Sequence, residues 1–424
     1  MTIRDLHGHS LSGANAAAAE HFDAACALLR CYRGDPLAAA MAALEQAPRM
    51  TMAHVLVAYL NLLGTEPAGL AAARDAQARA AMLPADEREA LHVRAAGCLA
   101  QGRWHEAGRV LEDLSIRYPH DLLALQVGHQ VDFFTGRSRM LRDRIARAES
   151  HWHEGMPGHH AVLAMLAFGL EETADYARAE RLGRRSVELE PHDGWGWHAV
   201  AHVLEMQGRR SEGIAWLRRD SAHWSEGSFF AVHNWWHLAL FHLGLDQLDE
   251  VFTLLDERVL GTASPVVLDM IDASALLWRL QLRGVPVGER WQALATRWAA
   301  ASEGSAYAFN DFHAMLAFVG ADRMADARRL LEAQREALQQ AGDNAAFLRD
   351  VGHPATLAIH DFALGRHAEA ARRLREVRPV AHRFGGSHAQ RDLIDLTLIE
   401  AARRGGDAAL ADALQRERAF VRRG

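Results

Sequence analysis

Residues 87–119 read EREALHVRAAGCLAQGRWHEAGRVLEDLSIRYP. Two apolar stripes at helical spacing flank the turn Gln101-Gly102-Arg103, and Pro119 closes the unit. Glycine supplies the positive φ that ends the first helix. Trp104, Ala107 and Leu111 then fall on the packing face of the second. The small Ala107 lets the two helices approach closely, and Trp104 fills the gap towards the next pair. The stretch therefore reads as a helix-turn-helix unit of the tetratricopeptide kind.

The pattern returns along the chain. Gln207-Gly208-Arg209 precedes Gly213, Gly320-Ala321-Asp322 precedes Ala327, and Leu364-Gly365-Arg366 precedes Ala370, each placing a small residue at the same point of the second helix. Tyr176, Ala179 and the closing Leu189-Glu190-Pro191 mark another unit, and Gly34-Asp35-Pro36, Gly244-Leu245-Asp246 and Gly405-Gly406-Asp407 mark further turns. One hairpin cannot bury both of its faces, so neighbours must stack. The spacing predicts about nine or ten hairpins. The expected fold is all-α, a right-handed superhelical solenoid of tetratricopeptide-like helix-turn-helix repeats. It forms one domain over residues 1–424, with residues 1–20 set apart as a flexible N-terminal segment and the polar residues 416–423 capping the open end. Residues 137–158 and 269–305 fit the template poorly and predict longer loops or skewed helices.

Composition agrees with a repeat array. A chain of 424 residues exceeds the ~250–300 at which single cores stop growing. Half of the residues are hydrophobic and only 11 are proline, which favours helix. The net charge of −7 argues against a nucleic-acid partner, and all 47 basic residues are arginine. Cys26, Cys31 and Cys98 form no CxxC pair and are odd in number, which disfavours a disulfide framework and fits a cytoplasmic location. There is no apolar leader core at the N-terminus and no stretch near the ~20 apolar residues of a span, so no membrane partner is expected. A P-loop, a GxGxxG after a strand and a nucleophile elbow are all missing, which disfavours nucleotide and nicotinamide enzymes. The sequence does not fix an oligomeric state.

The chain carries 25 histidines, and the strongest constellation among them is WHAVAHVLE at residues 197–205. His198, His202 and Glu205 are spaced i, i+4, i+7 on one helix face. Two imidazoles one turn apart with a nearby carboxylate make a sensible set for a divalent zinc or iron ion. Such residues also occur as a polar interior wall whose imidazoles bond to neighbouring helices. The next first helix carries His233-Asn234-Trp235-Trp236-His237, again with histidines at i, i+4. Adjacent first helices lie side by side in a solenoid, so His233 and His237 are expected opposite His198 and His202. Elsewhere, Asp311 and His313 open a helix, and Gly385-Gly386-Ser387-His388 leads to Arg391, with Ser387 placed to cap and Arg391 placed to grip a carboxylate or phosphate. Glu171-Glu172, with Arg178 as an ion-pair partner, and His7 with His9 are lesser candidates.

These readings assign His198, His202, Glu205 and His237 to catalysis should the protein be an enzyme, and His198, His202 and His233 to a metal. Ligand binding falls to His233, Asn234, Trp236, Asp311, His313, His388 and Arg391. The function expected is binding of a small molecule or peptide in a concave pocket lined by His, Trp and acid. A hydrolase or isomerase using the imidazole cluster, with a metal or by acid–base chemistry, is one alternative, and a pure protein–protein scaffold is another.

Five segments carry a resemblance: LAFGLEE at 166–172, WHAVAHVLEMQGR at 197–209, HNWWHLALF at 233–241, DFHAMLAF at 311–318 and GGSHAQRD at 385–392. On these the chain resembles a bacterial member of the tetratricopeptide repeat protein 38 family, over nearly its whole length. The resemblance implies a helical-repeat fold. It implies no settled activity.

Overall fold

In a computed structural model of the chain, which describes residues 2–301 and 305–421, nearly the whole path is helical and no strand occurs among the described residues. The first helices are α1 (Ala16–Arg30), α2 (Pro36–Gln46), α3 (Thr51–Leu62), α4 (Leu70–Ala81), α5 (Glu87–Ala100), α6 (Trp104–Arg117), α7 (Leu122–Phe134) and α8 (Ser138–Glu149). Next come α9 (His159–Glu171), α10 (Tyr176–Leu189), α11 (Gly194–Met206), α12 (Arg210–Arg218), α13 (Ser221–Ser225), α14 (Ala231–Gly244), α15 (Leu248–Leu254) and α16 (Val267–Leu282). The last are α17 (Arg290–Ala301), α18 (Ala308–Gly320), α19 (Met324–Ala337), α20 (Asp343–Phe347), α21 (His353–Ala363), α22 (His367–Val377), α23 (His388–Arg404) and α24 (Ala408–Val421). Single π turns follow α15 and precede α21. Residues 422–423 of the expected C-terminal cap and residues 302–304 of the second poorly fitting segment lie outside the described residues.

The hairpin turns fall where the sequence puts them, and the caps explain why. Asp86 caps α5 through a reciprocal pair with Glu89, and α6 begins after Gly102, whose φ is +71°. Gly208, Gly365 and Gly406 take the same left-handed conformation. Two turns differ from expectation. In Gly244-Leu245-Asp246 and Gly320-Ala321-Asp322 the glycine is still helical, and the aspartate takes the positive φ, +57° at Asp246 and +54° at Asp322. Aspartate tolerates that region better than most residues. The glycines serve close approach instead: a Cβ on Gly320 would lie 2.4 Å from the Trp291 ring, and one on Gly244 2.3 Å from Arg210 Nε.

Two compact units form, one from Met1–Phe133, Arg137–Val203 and Arg219–Asn234, the other from Phe134–Gly136, Leu204–Arg218 and Trp235–Gly424. The division falls inside the continuous helices α7, α11 and α14, not at a linker. In the first unit α3 packs on both α4 and α5, α5 on α6, and α9 on α8 and α10. Its core gathers Leu141, Ile145, Trp152, Leu166, Phe168 and Trp195. In the second, α18 packs on α16, α17, α19 and α21, and α23 on α22 and α24. The buried indoles there are hydrogen-bonded, Trp278 Nε1 to Thr397 Oγ1 and Trp298 Nε1 to Ser274 Oγ, each at 2.9 Å. The small positions behave as the sequence predicts: Ala107, Ala179, Ala327 and Ala370 are fully buried, and a Cβ on Gly213 would strike the Phe241 ring.

The N-terminal segment is hydrogen-bonded to residues further along the chain. Ser12 N–H donates to Glu89 at 2.8 Å, Arg88 donates to the Ser10 carbonyl at 3.0 Å, and His7 reaches the Pro157 carbonyl at 3.0 Å. Glu89, in the first turn of α5, accepts from this segment, and neither His7 nor His9 is among the converging imidazoles.

Candidate metal centre

Helix α11 presents His198 and His202 one turn apart, with ring centroids 4.4 Å from each other. Helix α14 brings His233 alongside, its Nε2 3.1 Å from His198 Nε2. The start of α14 is held to the start of α11 by Asn234, which donates to the Gly194 carbonyl at 3.2 Å. One turn further on the same helix stands His237. Each of the four histidines offers a ring nitrogen, and these nitrogens all lie within 4.8 Å of one another. Two nitrogens bound tetrahedrally to one zinc at 2.0–2.1 Å stand about 3.3 Å apart. The His198–His233 separation is close to that value, so the side chains are near enough to hold a metal ion.

The surroundings are aromatic and dry. The Phe168 ring stacks on His198 at 5.2 Å and meets His202 edge-on at 5.2 Å. Trp195 lies 4.7 Å from His198, and Phe230 lies 5.1 Å from both His198 and His233. His198 and His202 are 2% and 0% exposed, while His233 is only half-buried and gives the cluster its solvent side.

The carboxylate nearest the imidazoles is not the one the helix spacing points to. Glu171, at the end of α9, lies 3.5 Å from His202 Nδ1, and both side chains are fully buried. Glu205 is absent from the group of ligating atoms and lines a separate cavity beside Arg210 and Arg418. Three residues beyond His202 it stands ~4.5 Å further along the helix axis. Glu172 accepts from Ser138 Oγ at 3.1 Å, and Arg178 pairs with Asp175 and not with Glu171.

Trp236, Asp311, His313 and Arg391 are not among the residues whose ligating atoms converge. Trp236 is buried with the Arg279 guanidinium 5.4 Å over its ring. Asp311 accepts from Ser305 Oγ at 2.5 Å and from Gln334 Nε2 at 3.1 Å. His313 gives its Nδ1 to the Phe309 carbonyl at 2.9 Å. His388 opens α23 directly after Ser387, which caps that helix as the sequence predicts, and Arg391 turns back to the Gly386 carbonyl. The aromatic residues Phe168, Trp195 and Phe230 were not singled out by spacing, although Phe168 sits in the LAFGLEE segment.

Burial sets the charge state of several of these groups. It pushes His313 down to about 3, and likewise His129, packed near Phe168 and Trp195. It pushes Asp311 up to about 7, against its two hydrogen bonds, and the thiols of Cys26 and Cys31 up to about 12. The three cysteines are free. A depressed histidine stabilises the fold above its unfolded value of about 6.5 and loses that contribution as pH falls towards 3. A raised carboxyl does the reverse, contributing below about 3.9 and losing it as pH rises to 7. Urea unfolding between pH 6.5 and 4.5 is therefore expected to show falling stability towards acid. His313→Asn should flatten that fall by about 1.4 kcal/mol per pH unit, and Asp311→Asn should steepen it by about the same amount. Unchanged slopes in both variants would contradict the assignment.

No protein-family model matches the chain. Among the described residues, no helix is long and apolar enough to cross a membrane.

Proposed function

We propose that the protein is a metal-binding helical-repeat protein that presents a divalent zinc or iron ion to a small molecule. His198, His202 and His233 serve as ligands, and Glu171 orients His202. One observation carries this reading: the imidazole nitrogens of α11 and α14 converge within ligating distance of one ion. The Glu171 carboxylate at His202 Nδ1 supports it, because metal-bound imidazoles usually give their second nitrogen to a carboxylate, which fixes the ring and raises its basicity. Three imidazole ligands leave a coordination position open for water or a polar ligand. Phe168, Trp195 and Phe230 wall the centre, and half-buried His233 marks its solvent side.

The scaffold belongs to the same proposal. We infer a right-handed solenoid of tetratricopeptide-like repeats, similar to the tetratricopeptide repeat protein 38 family. Its support is that α3, α16, α18 and α21 each pack on their own hairpin partner and on the first helix of a following pair. A second reading, a metal-dependent hydrolase or isomerase, is favoured by the fourth imidazole: beyond three ligands, His237 remains as a base beside the open position. Elemental analysis of the purified full chain tests the common core of both. About one equivalent of zinc or iron per chain is expected. A metal-free protein that takes up neither ion on titration would leave the imidazoles as internal bracing of a scaffold.

A further inference from the structure

A cavity of about 260 Å³ opens within the second unit, among α11, α12, α14, α16, α23 and α24. Aliphatic side chains, among them Leu240, Leu282 and Ile399, form part of its wall. Its charged lining is unbalanced, with five arginines against three carboxylates. The carboxylates are engaged: Asp392 with both terminal nitrogens of Arg418, Glu400 with Arg403 and Arg404, and Glu205 is not free either. Arg283 is committed to Asp246 and to the Leu243 carbonyl, both at 2.8 Å.

Arg210 is different. Among the described residues it has neither an ion-pair nor a hydrogen-bond partner, yet it is half-buried at the cavity wall. Its side chain lies across Gly244, where a Cβ would come within 2.3 Å of its Nε and 2.5 Å of its Cδ. The missing side chain at Gly244 is what lets the guanidinium lie there. Arg279, 5% exposed, adds a second cation to the same lining, bonded in part to the carbonyls of Ala275 and Ala389.

We propose that this cavity binds a small organic anion, a terminal carboxylate or phosphate on an aliphatic body, with Arg210 as the principal recognising cation and Arg279 as its neighbour. A guanidinium gives two parallel N–H donors to either oxyanion, and the leucine and isoleucine wall takes the carbon chain. The volume falls just below the usual ligand-pocket range of about 300–1,000 Å³, which limits the ligand to a compact metabolite. The inference is independent of the imidazole centre, since no histidine of that centre lines the cavity.

Calorimetric titration of the full chain with hexanoate, hexyl phosphate and hexylamine tests it. Saturable one-to-one binding of at least one anion below millimolar concentration is expected, and the stronger of the two identifies the oxyanion; hexylamine is expected not to bind. Arg210→Gln should weaken anion binding at least tenfold with the melting midpoint retained, and Arg210→Lys should restore part of it. Gly244→Ala, which displaces the guanidinium, should weaken binding as well. Failure of both anions to bind, equal binding of hexylamine, or wild-type affinity in Arg210→Gln would overturn the proposal.

Discussion

His202→Ala is expected to reduce the metal content of the purified protein from about one equivalent to below about a tenth, while the chain stays helical by circular dichroism. Removing one of three imidazoles from a centre with few ligands typically costs orders of magnitude in affinity, because each ligand supplies a separate bond to the ion. The side chain is fully buried beside Phe168 and Glu171, so some loss of stability accompanies the change. His313→Ala is the matching control. That ring is equally buried but stands outside the converging group, bonded to the Phe309 carbonyl. It should lose stability and keep its metal. Equal metal content in the two variants would remove His202 from the centre. Glu171→Gln is the intermediate case, with metal retained but bound more weakly by about 10–100-fold.

Asp121→Ala is expected to destabilise the fold by roughly 3–5 kcal/mol, seen as a large drop in the urea midpoint. Asp121 is 2% exposed, and one oxygen takes Arg88 at 2.7 Å and His92 at 3.0 Å. Its other oxygen accepts the Ala124 N–H at 2.9 Å and so caps α7. Removing the carboxylate leaves a 3%-exposed guanidinium without its counter-ion and a helix start without its cap. Burial acts to raise the Asp121 pKa, but His92 and Arg88 overcome it and hold the carboxyl well below the usual range. The contribution is therefore present above pH 4 and is lost only as pH falls through that depressed value. Asp121→Asn keeps the shape and the cap but not the charge, so a smaller loss is expected. An Asp121→Ala variant within ~0.5 kcal/mol of wild type would mean that this ion pair contributes nothing net.

The hairpin boundaries were legible because they depend on local chemistry. A glycine at a helix end, a capping aspartate and a small residue four or so positions into the next helix each act within one turn of chain. At Gly244 and Gly320 the same letters mislead. There the left-handed residue is the aspartate two places on, and the glycine is spent on contact with Arg210 or Trp291, side chains remote in sequence. The imidazole pairs were legible for the same local reason, since i, i+4 spacing fixes a shared face whatever the fold. His233 meets His198, as expected of first helices that lie side by side. The choice of Glu171 over Glu205 was not expected, because helix spacing says nothing about which side chains a neighbouring helix brings in. Nor could spacing show that Asn234 ties the two helices together through a backbone carbonyl, or that Trp236 is turned towards Arg279. The ring of Phe168, Trp195 and Phe230 was hidden because aromatic residues on helical stripes read first as core.

X-ray absorption at the metal edge of the purified full chain tests the central claim most directly. A first shell of three or four imidazole nitrogens at about 2.0–2.1 Å, with the outer-ring scattering of histidine and no sulfur, is the predicted result. An absence of stoichiometric metal, or a shell built from sulfur or from water alone, would contradict it.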